Sequence, residues 1–268
     1  MEEAYFGERG LHYRKSEMRP ERPTLVFLHG LSGSLSVWGP YEKRLGKKYN
    51  LVSLDLRGHG KSKRWSVYQD YDLRLFAEDV SHLLQHVGVE RYTLVAHSFG
   101  TLVALELFRR PHGIEKLLLL SPNYAVHRML RARLTRWPLA FVAAIFSALP
   151  SVRWRGNHLD YSKLGYSKDW DMRRLAMDIL NTGIRTYVHC LHRVYSFTRD
   201  EEWRNISVPT RIMHGAGDSF IPIAHAIELA DIIPNATFEM VGDGNHMLVL
   251  NNIPDTIRTI DEFAANTT

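Results

Sequence analysis

Val95-Ala96-His97-Ser98-Phe99-Gly100 is the stretch that decides the fold. It stands between a β-prone run, Tyr92–Ala96, and a helix-patterned segment, Phe99–Arg109, that ends before Pro111. A serine on so sharp a strand-to-helix turn is held out of the sheet edge with its Oγ exposed. Only small residues two positions to either side let strand and helix approach closely enough. Gly100 meets that requirement, and Ala96 meets it less fully than glycine would. The pentapeptide alone is common by chance; its place at a strand–turn–helix junction gives it weight.

Outward from this point the chain alternates. Thr24–Leu28, Leu51–Leu54, Lys116–Leu120, Thr210–Met213 and Thr237–Val241 read as strands apolar on both faces, which belong in the middle of a parallel sheet covered by helices. Leu73–Val87 places an apolar residue about every 3.6 positions and stops at Gly88. Pro222–Ile232 and Pro254–Phe263 each begin with a proline, which suits a first helical turn. Ala4–Phe6 and Leu11–Arg14, separated by Gly7-Glu8-Arg9-Gly10, predict an opening hairpin. The pattern predicts an α/β fold with a mostly parallel central sheet flanked by helices. Alternation fails between Tyr124 and Arg204, where helical patches and Pro138, Pro150, Gly156 and Gly165 predict a helical insertion.

Composition sets the bounds. The 268 residues are 45% hydrophobic and 24% charged, which excludes a disordered or collagen-like chain. The single cysteine, Cys190, cannot form an internal disulfide, and it fits a reducing compartment. It also excludes a structural zinc site of the Cys type. The first ten residues, MEEAYFGERG, lack the apolar core of a secretory signal. Leu139–Leu149, between Pro138 and Pro150, is too short for the roughly 20 residues of a membrane span. A soluble, cytoplasmic protein is the expectation.

A serine hydroxyl is a poor nucleophile at neutral pH; it needs a base, and the base needs an orienting carboxylate. Asp218 lies just beyond the strand before Gly215-Ala216-Gly217, and His246 lies in the Gly-rich loop after the next strand. Side chains at strand C-termini converge on one rim of a parallel sheet, so Ser98, Asp218 and His246 can meet there. Their chain order is the one expected for a nucleophile on such a strand-to-helix turn. Asp243, three residues before the histidine, competes with Asp218 and reads better as a turn residue.

Five motifs together resemble the α/β-hydrolase superfamily over nearly the whole chain. They are His29-Gly30-Leu31-Ser32-Gly33-Ser34 with Trp38, Asp55-Leu56-Arg57-Gly58-His59-Gly60-Lys61-Ser62, the Ser98 elbow, Gly215–Pro222, and Gly244-Asn245-His246. The departures are Ala96 at the elbow and Gly-Asn-His where Gly-His is usual. The resemblance implies a core of residues 1–123 and 205–268 and a helical cap at 124–204. It implies an oxyanion hole from the backbone N–H groups of Leu31 and Phe99. It also implies hydrolysis through an acyl-enzyme on Ser98, with no metal or organic cofactor. A serine nucleophile excludes the branches that use aspartate, the haloalkane dehalogenases and related epoxide hydrolases.

The first expectation is a carboxylesterase for small to medium apolar acyl groups. The others are a carbon–carbon bond hydrolase of dienoic diketones, using a cap or pocket arginine, and a slow-turnover ligand receptor that keeps the triad. Trp38, His97, Phe99, Phe141 and Met247 are candidates to line the acyl pocket, with core packing the competing role for Trp38, Phe99 and Met247. The apolar helix Leu139–Phe146 is suited to covering that pocket. His29, His59 and His214 read as backbone-bonding turn residues, and neither His189 with His192 nor His225 has ligand-spaced partners for a metal.

The formal net charge is +5, and 124–204 holds 14 Lys+Arg against 7 Asp+Glu, so the excess belongs to the presumed cap. Arg128, Arg131, Arg133 and Arg136 are packed there, just ahead of the apolar helix Leu139–Phe146. They suit an anionic substrate, an acidic carrier protein or an anionic membrane surface, or they form a solvated helix face. Nucleic acid is not expected, because no nucleic-acid motif accompanies them.

Overall fold

The computed structural model describes residues 1–150 and 155–265; of the expected regions, 151–154 in the cap and 266–268 at the end of the core lie outside the described residues. The hairpin pairs β1 (Glu2–Phe6) with β2 (Leu11–Lys15). Then follow β3 (Thr24–Leu28), α1 (Gly39–Leu45), β4 (Asn50–Leu54), α2 (Leu73–His86), β5 (Tyr92–His97), α3 (Phe99–Leu107) and β6 (Ile114–Leu120). Three helices come next: α4 (Leu130–Ala148), α5 (Met172–Thr182) and α6 (Ile184–Ser196). The chain closes with β7 (Thr210–Gly215), α7 (Ile223–Ile232), β8 (Ala236–Val241), α8 (Leu248–Asn251) and α9 (Ile253–Ala265).

The eight strands form one sheet in the order β1-β2-β4-β3-β5-β6-β7-β8. Pairing is antiparallel only at β1–β2 and β2–β4, and parallel from β4 to β8. The C-terminal ends of β3, β5, β7 and β8 therefore emerge on one rim. Successive side chains of a strand point to opposite faces. Accordingly Leu25 and Phe27 join one core with Trp38, Tyr41, Ile260 and Phe263, while Val26 and Leu28 join the other with Phe76, Leu102, Val103 and Leu229. The α3 helix, buried along its whole length, has no solvated side, which explains why its sequence lacks an amphipathic stripe.

Two expectations need correction. The β8 strand is not buried on both faces: it closes the sheet, and only Val241 is fully buried. The arginines do not precede the apolar helix; Arg131, Arg133 and Arg136 lie in the same 19-residue helix, which runs through Pro138. Proline removes the hydrogen bond to the carbonyl four residues back, which belongs to Leu134. Both Pro138 and Leu134 are on the solvent side, where water can take that carbonyl. Between β6 and β7 the described residues contain helices and no strand, as the sequence predicts.

Candidate active site

The turn from β5 into α3 holds Ser98 at φ 49° and ψ −114°, a strained conformation for a residue with a side chain. Close packing enforces it. A Cβ on Gly100 would lie 2.9 Å from the carbonyl oxygens of both Leu28 and His29, so the start of α3 crosses β3 where no larger residue fits. Gly30 does the same from the other side: its Cβ would stand 3.2 Å from that of Ser98. The backbone after β3 is thereby brought against the serine, and Phe99 opens α3, so its N–H has no acceptor within the helix.

Ser98 Oγ lies 2.8 Å from His246 Nε2, and His246 Nδ1 lies 2.7 Å from Asp218 Oδ2. All three residues are buried. Burial acts to raise the Asp218 carboxyl, but the imidazole of His246, the nearby His214 ring and the donated N–H of Ile221 hold it below the usual carboxylate range. Asp243 is elsewhere: its Oδ1 accepts from Asn252 Nδ2 at 3.1 Å. His97 packs beside the His246 ring and donates from Nε2 to the His246 carbonyl at 2.9 Å. Burial, with His246 nearby, pushes its pKa down to about 3, so it is a neutral donor.

Ser98, His246 and His97 open onto a cavity of about 510 Å³. One wall comes from α5 and α6 through Leu175, Ile179, Leu191 and Val194, and Leu31 and Met247 add to the apolar lining. One corner is polar. There Arg174 Nη1 meets Asp178 Oδ2 at 3.0 Å, and Tyr161 donates to Asp178 Oδ1 at 3.0 Å; burial raises the Asp178 pKa to about 6.

A family model for the alpha/beta hydrolase fold matches residues 23–253. The chain belongs to the α/β-hydrolase family. This hydrolase-family chain is 26% identical over 254 residues to the putative carbamate hydrolase RutD of Stutzerimonas stutzeri, covering 88% of this chain and 89% of that one. It is 25% identical over 244 residues to protein ABHD8 of Bos taurus, covering 88% of this chain but 54% of that protein, so it spans about half the length of that relative. Among solved structures, the enol-lactonase of Burkholderia xenovorans LB400 superposes with a TM-score of 0.71 at 20% identity, covering 96% of both chains. At that identity the match speaks to the fold alone.

Of the pocket candidates, His97 and Met247 line the cavity. Trp38 does not: it is fully buried in the opposite core, its ring 5.0 Å from Phe27 and 5.2 Å from Tyr41. The Phe99 side chain is likewise core, 5.2 Å from Phe76. Phe141 is 70% exposed on the outer side of α4, and no residue of Leu139–Phe146 reaches the cavity. The reason is rotational: α4 turns Ala132 and Ala143 inward, against α6, which leaves its large side chains outside. His29 and His214 bond backbone groups, at Leu56 N and the Ile221 carbonyl. So do His59 Nδ1, at the Arg57 carbonyl, His189 and His225.

Asp169 carried no signal in the sequence. This buried carboxylate, between α4 and α5, accepts from His246 N at 2.9 Å through Oδ1. Its Oδ2 accepts from Ser219 N at 2.8 Å and Ser219 Oγ at 2.9 Å. One side chain of the helical segment thus holds both the base loop and the acid loop. Asn245 explains the Gly-Asn-His departure: its Nδ2 donates to the Ser167 carbonyl at 2.9 Å, tying the same loop to the same segment. Asn123 was also missed; it lines the cavity with Nδ2 3.5 Å from Ser98 Oγ.

Proposed function

We propose that the protein is a serine hydrolase of carboxylic esters with small to medium, apolar acyl groups, working through an acyl-enzyme on Ser98. The observation that carries this reading is the unbroken hydrogen-bond chain Ser98–His246–Asp218 on the wall of a largely apolar cavity. His246 takes the hydroxyl proton as Oγ attacks the acyl carbon, and Asp218 holds the imidazole in register and stabilises its charged form. The N–H groups of Leu31 and Phe99 receive the developing oxyanion, each worth on the order of 3 kcal/mol in comparable sites. His246 then protonates the leaving alcohol, and a water activated by the same ring releases the acid. The segment 124–204 serves as the cap, with α5 and α6 forming the acyl wall. The name of the RutD relative, a putative carbamate hydrolase, supports hydrolysis at an acyl carbon.

The carbon–carbon hydrolase reading needs a cavity arginine free to bind a substrate carboxylate. Arg174 is committed to Asp178, Ser167 Oγ and the Asp169 carbonyl, and Arg131 donates to the Phe220 carbonyl. That favours the ester. A panel of p-nitrophenyl esters from acetate to palmitate, with a dienoic diketone added, tests it. Turnover of the shorter esters that falls at least a thousandfold in Ser98→Ala, with a fluorophosphonate label on Ser98, is expected. Turnover of the dienoic diketone alone, or ester turnover that survives Ser98→Ala, overturns the proposal.

A further inference from the structure

The largest side chains of α4 point at solvent. Leu130 is 68% exposed, Leu134 66%, Trp137 71% and Phe141 70%, and Ile145 and Leu149 continue the row. These positions recur every three or four residues, so they form one stripe on the face opposite Ala132 and Ala143. At 1.5 Å per residue the 19-residue helix presents about 28 Å of apolar edge. An exposed stripe of that size on a folded chain marks an interaction surface. A second feature adjoins it. His127, Arg128, Arg133 and Arg136 line a surface hollow together with Leu130 and Leu134, the first two side chains of the stripe. Arg128 is shared with Glu228 and Asp200, but Arg133 and Arg136 have no carboxylate within salt-bridge distance among the described residues.

We propose that this face of α4 docks on the surface of an anionic phospholipid bilayer, with the apolar stripe in the acyl boundary and the basic hollow at the headgroup phosphates. The charge pattern selects this occupant. The helix contains no Asp or Glu, so a second copy of the same face brings no carboxylate to Arg133 and Arg136. A long row of Leu, Trp, Phe and Ile flanked by arginine is the pattern of a helix lying in a membrane interface. No helix of the described residues is long and apolar enough to cross a membrane, so the contact is peripheral. The surface contribution of the arginines is electrostatic and weakens with salt.

The test is flotation of the full chain with extruded vesicles, of phosphatidylcholine alone or with 30% phosphatidylserine, in low and high salt. Partition at least tenfold stronger on the anionic vesicles, weakened by high salt, is expected. Leu134→Glu with Trp137→Glu should lower it at least tenfold, and Arg133→Glu with Arg136→Glu should abolish the preference for phosphatidylserine. Leu134, Trp137 and Arg133 are exposed and Arg136 is half-buried, so Arg133→Glu is also made alone, and thermal midpoints matching the wild type confirm folded variants. Equal recovery with and without vesicles, or folded variants that partition like the wild type, overturns the proposal. So does a wild-type dimer in sedimentation that Leu134→Glu with Trp137→Glu dissolves, since that assigns the stripe to a second copy.

Discussion

Asp169→Ala removes the carboxylate by which the helical segment reaches the loops of both Asp218 and His246. Three hydrogen bonds end on its oxygens, from His246 N, Ser219 N and Ser219 Oγ, at 2.9, 2.8 and 2.9 Å. Bonds to a charged acceptor contribute roughly 1.5–3 kcal/mol each, and a buried N–H left without a partner costs a further ~1–3 kcal/mol. Water entering the vacated space recovers part of that. A net loss of about 3–5 kcal/mol in stability is expected, a large part of a normal folding free energy. Turnover should fall more than substrate affinity, because the freed loops carry the proposed base, His246, and its proposed partner, Asp218. A displacement of 1 Å at such groups costs on the order of a hundredfold in rate. Asp169→Asn keeps the shape and one acceptor oxygen, so it should fall between the alanine variant and the wild type. The assay is kcat and KM on the best p-nitrophenyl ester, with the pH profile, alongside urea unfolding. In a Ser98→Ala background the stability loss should persist and the rate loss should vanish, because no triad remains to misplace. A folded Asp169→Ala enzyme within twofold of wild-type kcat refutes the reasoning.

Gly100→Ala places a methyl 2.9 Å from two carbonyl oxygens, so it should destabilise by about 1–3 kcal/mol and cut ester turnover, read by thermal unfolding and kinetics. Arg57 makes a bidentate pair with buried Asp79, both bonds at 2.8 Å. Arg57→Ala leaves that carboxylate with Arg9 Nη1 at 3.7 Å in place of its bidentate partner, where burial already pushes it up, and should cost about 3 kcal/mol in urea unfolding. Acid should destabilise early. Burial lowers His59 and His97 from 6.5 to about 3 in the folded chain, so the unfolded chain binds more protons between those values. Their contribution is full above pH 6.5 and is lost as pH falls toward 3, by about 1.4 kcal/mol per pH unit for each. Depressed Asp218 acts in the same direction at lower pH. Urea midpoints from pH 8 to 4.5 check this; a flat profile down to pH 5 would contradict it.

The sheet was legible because its strands are local objects. Runs such as Thr24–Leu28 must bury both faces, and Gly88 and Pro111 punctuate the helices between them. The convergence of Ser98, Asp218 and His246 was legible for a related reason: each follows a strand, and parallel strands end on the same rim. What failed was rotation about a helix axis. Leu139–Phe146 reads as a pocket cover because it is apolar, yet its large residues face outward. Trp38 sits in a site motif but points into the core on the other side of the sheet.

Strand order along the chain, turn residues at the strand ends and the spacing of apolar positions determined the fold and the convergence of Ser98, Asp218 and His246, because each depends on neighbours close in sequence. Which carboxylate holds the two loops in place, which helices wall the cavity and which face of α4 meets solvent depend on residues far apart in sequence. Asp169 and His246 are 77 residues apart, and only packing of the helical segment onto the sheet rim brings them within 2.9 Å. The basic excess shows the same division. Its place in 124–204 was a matter of counting, but its alignment with an exposed apolar stripe was decided when the alanine side of α4 turned inward.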